Sequence, residues 1–313
     1  MLEILSKWWW NIMSEDLGDV IRNGFDTYRH NLKISIPFLL YFIPLVSVMI
    51  IPMAILLLNE GFASDGLSTH WFLVFQFVQF LGFLLVISGP IFLAGTVGMA
   101  KEATLKGKTS LKTMWAEGKK HYFGVLLAAL GLFVIFMIGA FALVIPLAAL
   151  GENVGPFVIF IFFILLIIFI LFAVVLAHFC LVSIVIDNLG AEEGIKRGFR
   201  FITSYKRDVI LISLLFLAAY IVIDLAVITM IVGKSAINGF DDMNFLELVE
   251  DYNLLSIPAN FVQVVILYPL FIVMWTRLYM CRTGRLGEED AETPHPEIPT
   301  DQSEDQNKDQ KET

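Results

Sequence analysis

Charge is scarce in this chain. Asp, Glu, Lys and Arg make up 16% of its 313 residues and 58% are apolar, against about 25% and about 45 to 50% in soluble domains. The mean hydropathy of +0.77 excludes a soluble globular fold and indicates an integral membrane protein. Cysteine is almost missing as well. Cys180 and Cys281, the only two, fall near the ends of apolar runs on the side where thiols stay reduced, so neither a disulfide nor a Cys-based metal site is expected. The histidines His30, His70, His121, His178 and His295 are scattered and read as lacking the Glu partners, one turn away, that a helical metal site uses. His178, alone near the end of the fourth apolar run, reads as a ring hydrogen-bonded to a neighbouring helix. Absent too are a G-x-S-x-G elbow, a GxxxxGKS or GxxxxGKT loop and a GxGxxG turn after a strand, which would announce nucleophile or phosphate chemistry. The expectation is a protein that is not an enzyme and needs no cofactor.

Long apolar sequence is what the chain has in quantity. Runs at about 34–58, 71–97, 123–149, 156–184, 209–232 and 257–280 each reach the roughly 20 residues a helix needs to cross about 30 Å of hydrocarbon. They are continuously apolar rather than alternating, so they read as helices and not barrel strands. Of the 21 Lys and Arg residues, only Lys234 falls in the connections 59–70, 150–155 and 233–256. The positive-inside rule then puts both termini in the cytoplasm, on a six-span protein of the cell membrane. The first residues, MLEILSKWWWNIM, lack the pattern of a cleaved signal peptide, and Trp8, Trp9 and Trp10 suit interfacial anchors. Residues 1–285 read as the membrane domain. The tail 286–313 is acidic and nearly devoid of apolar residues, so it is expected to be a disordered cytoplasmic segment.

Amphipathic stretches precede alternate spans. In residues 14–31, SEDLGDVIRNGFDTYRHN, the positions Leu17, Val20, Ile21, Phe25 and Tyr28 share a helix face, with acids leading, cations closing and Ser14 as the expected N-cap. In 191–206, Ile195, Phe199 and Ile202 form the same stripe, with Glu192 and Glu193 early and Lys206 and Arg207 late. Letters repeat along with pattern. Ile21-Arg22-Asn23-Gly24-Phe25 matches Ile195-Lys196-Arg197-Gly198-Phe199, and Tyr28-Arg29-His30-Asn31-Leu32 matches Tyr205-Lys206-Arg207-Asp208-Val209. A weaker copy covers 110–121, where Leu111, Met114 and Trp115 share a face with Tyr122. At the ends of spans two and six, Gly89-Pro90-Ile91-Phe92 parallels Tyr268-Pro269-Leu270-Phe271, and Lys106-Gly107-Lys108 parallels Thr283-Gly284-Arg285. Span four lacks the proline and ends in Asp187-Asn188, read as a cap or turn. The expected fold class is all-α integral membrane, with six transmembrane helices in three parallel repeats. Each repeat is a cytoplasmic amphipathic elbow helix followed by a transmembrane hairpin. Arg29, Lys33, Lys119, Lys120, Lys206 and Arg207 are candidate contacts with anionic headgroups, at about 1 kcal/mol per cation near the surface.

The stretches GMAKEATLKGKTSL (98–111), AEGKKHYF (116–123) and IVIDNLGAEEGIKRGF (184–199) resemble an uncharacterised family of archaeal polytopic membrane proteins. That family is distantly similar to the membrane domain attached to some glycerophosphoryl diester phosphodiesterases. The resemblance implies a helical membrane domain and no particular activity. The phosphodiesterase chemistry does not carry over, because no His-Arg-Gly-like stretch occurs.

Five polar residues lie inside the spans: Asp224 in span five, Gln76 and Gln79 in span two, Asn260 and Gln263 in span six. At about 1.5 Å per residue they all sit roughly 5 to 12 Å below the outer surface. Such a cluster reads first as interhelical glue and second as a polar pathway. Basic loops without an aromatic stacking platform exclude nucleic acid, leaving membrane lipids and other membrane proteins as partners. The favoured expectation is a non-catalytic module that organises lipids or partners; the alternative is a small-solute or ion transporter using the polar set.

Overall fold

The computed structural model describes residues 15–44, 46, 67–149, 155–238 and 256–286. Every regular element among them is helical. Helix α1 (Leu17–His30) starts where Asp16 accepts a hydrogen bond from the Leu17 amide at 2.7 Å, so Asp16 is its N-cap. Ser14, the cap expected from the sequence, lies outside the described residues. Asp19 in the first turn and Arg29 and His30 in the last complement the helix dipole. At Asn31 the backbone leaves the helix, and a short apolar helix, α2, runs over Leu32–Pro44. Most of the span expected at 34–58 lies beyond the described residues, as do Trp8, Trp9, Trp10 and the tail past Leu286.

Five long helices follow from hydropathy alone: α3 (Leu67–Lys106), α4 (Leu111–Ala149), α5 (Pro156–Ile186), α7 (Lys206–Asn238) and α8 (Ser256–Thr283). Each contains a segment long and apolar enough to cross a membrane, so the chain is a multi-pass membrane protein. The amphipathic helix α6 (Ala191–Ser204) lies between α5 and α7 and stops at Tyr205, one residue before α7 begins.

One expected element is different. Residues 110–121 do not form a separate elbow; they are the opening turns of α4, a single helix of 39 residues. At about 1.5 Å per residue α4 is about 58 Å long, far more than the hydrocarbon requires. The physical reason is the junction sequence. Asn31 and Tyr205 end their helices with non-helical dihedrals, whereas His121-Tyr122-Phe123 offers neither a cap nor a breaker.

Prolines act locally. Pro90 stays inside α3. In α8, Val262–Leu267 widens into π-helical turns just before Pro269, which cannot donate to the Val265 carbonyl one turn back.

The core lies where α3, α5 and α8 pack on one another. Their buried halves supply Ala94, Val97 and Met99 from α3, Phe179, Ile184 and Val185 from α5, and Phe271, Trp275, Leu278 and Tyr279 from α8. Each of these three helices carries one amphipathic segment on its flank. The start of α4 packs on α3, α6 packs on α5, and α1, from the other end of the chain, packs on α8. All three helices also end in a left-handed residue: Gly107 (φ 73°), Asn188 (φ 53°) and Gly284 (φ 80°).

Candidate functional site

Glycine sets how the amphipathic segments dock. On α6 the buried face is Gly194, Gly198, Phe201 and Ile202; of the expected stripe Ile202 is buried, Ile195 half-buried and Phe199 exposed. A methyl group at Gly198 would stand 2.7 Å from the Cys180 backbone nitrogen, and one at Gly194 2.3 Å from Ile184 Cγ1. On α1 the buried residues are Val20, Gly24 and Tyr28, and a methyl at Gly24 would lie 3.0 Å from Met274 Cγ. On α4 Gly118 approaches the Ile91 carbonyl oxygen to 2.5 Å by the same measure. Side chains would hold these backbones apart; glycine lets them touch. The flanking aromatics Phe25 and Phe199 are both 49% exposed, so each elbow has a seam toward protein and a second apolar face toward its surroundings. The glycines stand in the repeated blocks themselves, Asn23-Gly24-Phe25 and Arg197-Gly198-Phe199, but a hydropathy count gives them no weight.

Ion pairs lock the same end of the molecule. Glu15 accepts from Arg277 Nε at 2.9 Å and also from its Nη2, and the Glu15 carbonyl accepts from Arg282 at 3.2 Å. Burial pushes the Glu15 carboxyl up, but the hydrogen bonds and charge of Arg277, helped by Asn23 and Arg282, outweigh it and hold the pKa below its ordinary value. Arg282 pairs with Asp208 at 2.7 Å. Asp187, only 7% exposed, accepts from the Tyr279 hydroxyl at 2.6 Å and from Arg285 Nε at 3.2 Å, with Arg197 Nε at 3.5 Å. As expected it ends its helix, at the C-cap of α5, and these contacts join it to α6 and α8 as well. Asn31 donates to the Gly107 carbonyl and accepts from the Thr109 amide, 3.0 and 3.1 Å. These carboxylates are held by cations or hydroxyls. Their arrangement clamps helices.

Of the five intramembrane polar residues, the structure joins two. Gln263, 4% exposed within the π-helical turns, donates to Asp224 Oδ1 at 2.8 Å. Gln76, Gln79 and Asn260 are exposed, and no hydrogen bond ties them to that pair. Nearer the core, His178 is bonded through Nδ1 to the Val174 carbonyl at 2.7 Å and through Nε2 to the Tyr268 hydroxyl of α8. The histidines need one correction: Glu117 and His121 do stand one turn apart, 3.2 Å between Oε2 and Nε2. That pair gains no third ligand, since among the described residues no three His, Cys, Asp or Glu side chains converge as a metal site would require. The cations Arg29, Lys33, Lys119, Lys120, Lys206 and Arg207 are all exposed, a position open to headgroups.

A family model described as a domain of unknown function (DUF7847) matches residues 72–280 of the 313, two thirds of the chain. No curated protein and no solved structure matches the chain.

Proposed function

We propose, starting from a chain that belongs to the DUF7847 family, that it is a non-catalytic membrane module which organises lipids and partner membrane proteins around its cytoplasmic face. In this reading the chain has six spans in three parallel repeats, with both termini cytoplasmic. The second span of each repeat, in α3, α5 and α8, forms the inner trio, and the elbow of the next repeat docks on it. The docking of α1 on α8 closes the ring. Supporting the repeat are the glycines Gly24, Gly118 and Gly198, at matching places on α1, the opening turns of α4 and α6, and the left-handed ends at Gly107, Asn188 and Gly284.

The observation that carries the function is the division of polar groups at this end. Glu15, Asp187 and Asp208 are consumed by internal pairs with Arg277, Arg197, Arg285 and Arg282, while six further cations and the elbow phenylalanines face outward. A rigid scaffold whose rim exposes these cations and phenylalanines, with the acids Asp19, Asp26, Glu192 and Glu193 between them, suits headgroups and the polar edges of other membrane proteins. The rival reading, a transporter using Asp224, rests on the Gln263 contact at the π-helical turns.

The test is extraction of the intact protein with its surrounding membrane in polymer-bounded discs, followed by analysis of lipids, proteins and small solutes. Enrichment of anionic lipid or a stoichiometric protein partner is expected. A retained small solute with neither of these would overturn the module in favour of transport.

A further inference from the structure

An apolar groove runs along the outside of α4 and α5 and ends beneath α6. Its volume is about 510 Å³. Phe136 and Phe169, in edge contact at 5.8 Å between centroids, are the lining side chains of its deep end. There Gly139 makes room, since a methyl on it would meet the Phe169 ring at 2.6 Å. From Leu132 to Gly139 the groove descends about 10 Å along α4. Its upper rim is the lateral face of α6, where Ile195 and Phe199 continue the apolar lining and Lys196 and Arg200 add two cations. Lys196 shares its charge with Glu192 at 2.5 Å; no ion pair is made by Arg200 among the described residues. The corresponding position on α1 is Asp26, one residue past Phe25, so this combination of groove and cation is not repeated there.

We infer that this groove is a binding site for a single anionic phospholipid, with an acyl chain along Phe136 and Phe169 and the phosphate beside Arg200 and Lys196. The inference rests on the module reading above and gives it one address. Charge complementarity selects the occupant. A slot lined by Ile, Leu and Phe suits a hydrocarbon chain, and the cations sit at its polar end, where a headgroup emerges. A soluble phosphate would gain nothing from the slot, and a zwitterionic lipid would gain less from the cations.

The test uses the full chain in neutral detergent, with native mass spectrometry reading the binding of phosphatidylglycerol, phosphatidylcholine and soluble glycerol phosphate. Wild type should hold one phosphatidylglycerol in preference to phosphatidylcholine, and glycerol phosphate should not displace it. Arg200→Gln should weaken phosphatidylglycerol roughly fivefold, and combined with Lys196→Gln about 25-fold, with phosphatidylcholine unchanged. Ile135→Trp, at a lining residue that is 53% exposed, should fill the slot and weaken both lipids while thermal unfolding stays as in wild type. An unchanged lipid preference in Arg200→Gln, unchanged binding in Ile135→Trp, or displacement by glycerol phosphate would each overturn the site. If one of these results appears while wild-type discs still enrich anionic lipid, the groove fails and the module stands; if wild-type discs enrich neither lipid nor partner, the module itself fails.

Discussion

Replacing Gly198 by alanine tests the docking of the elbow helices most directly. The new methyl would stand 2.7 Å from the Cys180 nitrogen and 3.0 Å from its Cα and Sγ. Two of those three atoms are backbone and cannot swing away, so α6 has to retreat from α5 by about 1 Å to restore ordinary contact. Overpacking of this kind costs about 1 to 3 kcal/mol, and an obstacle made of backbone belongs at the upper end. Alanine returns about 1 kcal/mol of helix propensity, leaving a net loss of about 2 kcal/mol. Two further sites calibrate the effect. At Gly24 the close neighbour is Met274 Cγ at 3.0 Å, the middle of a flexible thioether side chain, so Gly24→Ala should be near neutral. At Gly82, within α3, nothing lies within 4 Å, so Gly82→Ala should gain about 0.5 to 1 kcal/mol. Unfolding midpoints in one detergent should therefore rank Gly82→Ala highest, Gly24→Ala close to wild type and Gly198→Ala lowest. A Gly198→Ala protein that unfolds at or above wild type would refute the seam between α6 and α5.

Asp224→Leu strips Gln263 of its partner and should lower stability in detergent by about 1 kcal/mol, whereas Asp224→Asn keeps an acceptor at that place and should be nearly neutral. Equal melting of the two would deny the hydrogen bond any energetic role. Because the folded pKa of Glu15 is depressed, its contribution is fully present above the unfolded value of 4.5 and is lost as pH falls below it through the lower folded value. Acid unfolding should thus be shallower in Glu15→Gln, and an identical pH profile would contradict the pair with Arg277. Asp187→Ala takes the acceptor from the Tyr279 hydroxyl and one partner each from Arg197 and Arg285 and should cost about 2 kcal/mol; Tyr279→Phe, which removes the hydroxyl's bonds to Asp187 and Arg197 but leaves Asp187 its cations, should cost about 1 kcal/mol. Topology can be read by single cysteines: at Ser64 and Asn238 they should react with an impermeant thiol reagent on intact cells, and at Thr109 they should not. Labelling at Thr109 without lysis would reverse the orientation.

Hydropathy made the long helices legible because membrane length leaves little choice: continuous runs such as those in α5 and α7 can only be helices. The elbows α1 and α6 were legible from their acids, cations and apolar stripes, since those features follow the helix period and dipole. What escaped was contact. The hydropathy stripe of Ile195, Phe199 and Ile202 found Ile202 on the buried face but not Gly194, Gly198 and Phe201 beside it, because the residue that permits closest approach is the one with no side chain to count. Depth misled in a similar way. Gln76, Gln79, Asn260, Asp224 and Gln263 count to one expected level along their helices, but depth along an axis says nothing of the direction in which each side chain leaves its helix. Only Asp224 and Gln263 face each other. The continuity of α4 was missed because an amphipathic pattern marks a surface, not a boundary; a boundary needs a residue such as Asn31 that ends the hydrogen-bond ladder.

The glycines also discriminate between two ways an amphipathic helix can sit at a membrane. A helix merely adsorbed at the interface needs an apolar stripe and a basic one, and for it each glycine costs about 1 kcal/mol of helix propensity with nothing gained. Helix α6 holds two such glycines, Gly194 and Gly198, one turn apart on one face, and Ser183 Oγ of α5 reaches across that face to the Gly194 carbonyl at 2.9 Å. The propensity cost is offset only if the backbones meet, which is what this bond and the position of Cys180 require. Docking by glycine leaves Phe199 out of the core and Ile195 only half-buried at its edge, so the exposed ring can serve lipid without loosening the helix that carries it. The elbow is thus fixed by one face and open on the other, and the two faces can be altered separately: Gly198→Ala acts on the first, Arg200→Gln on the second.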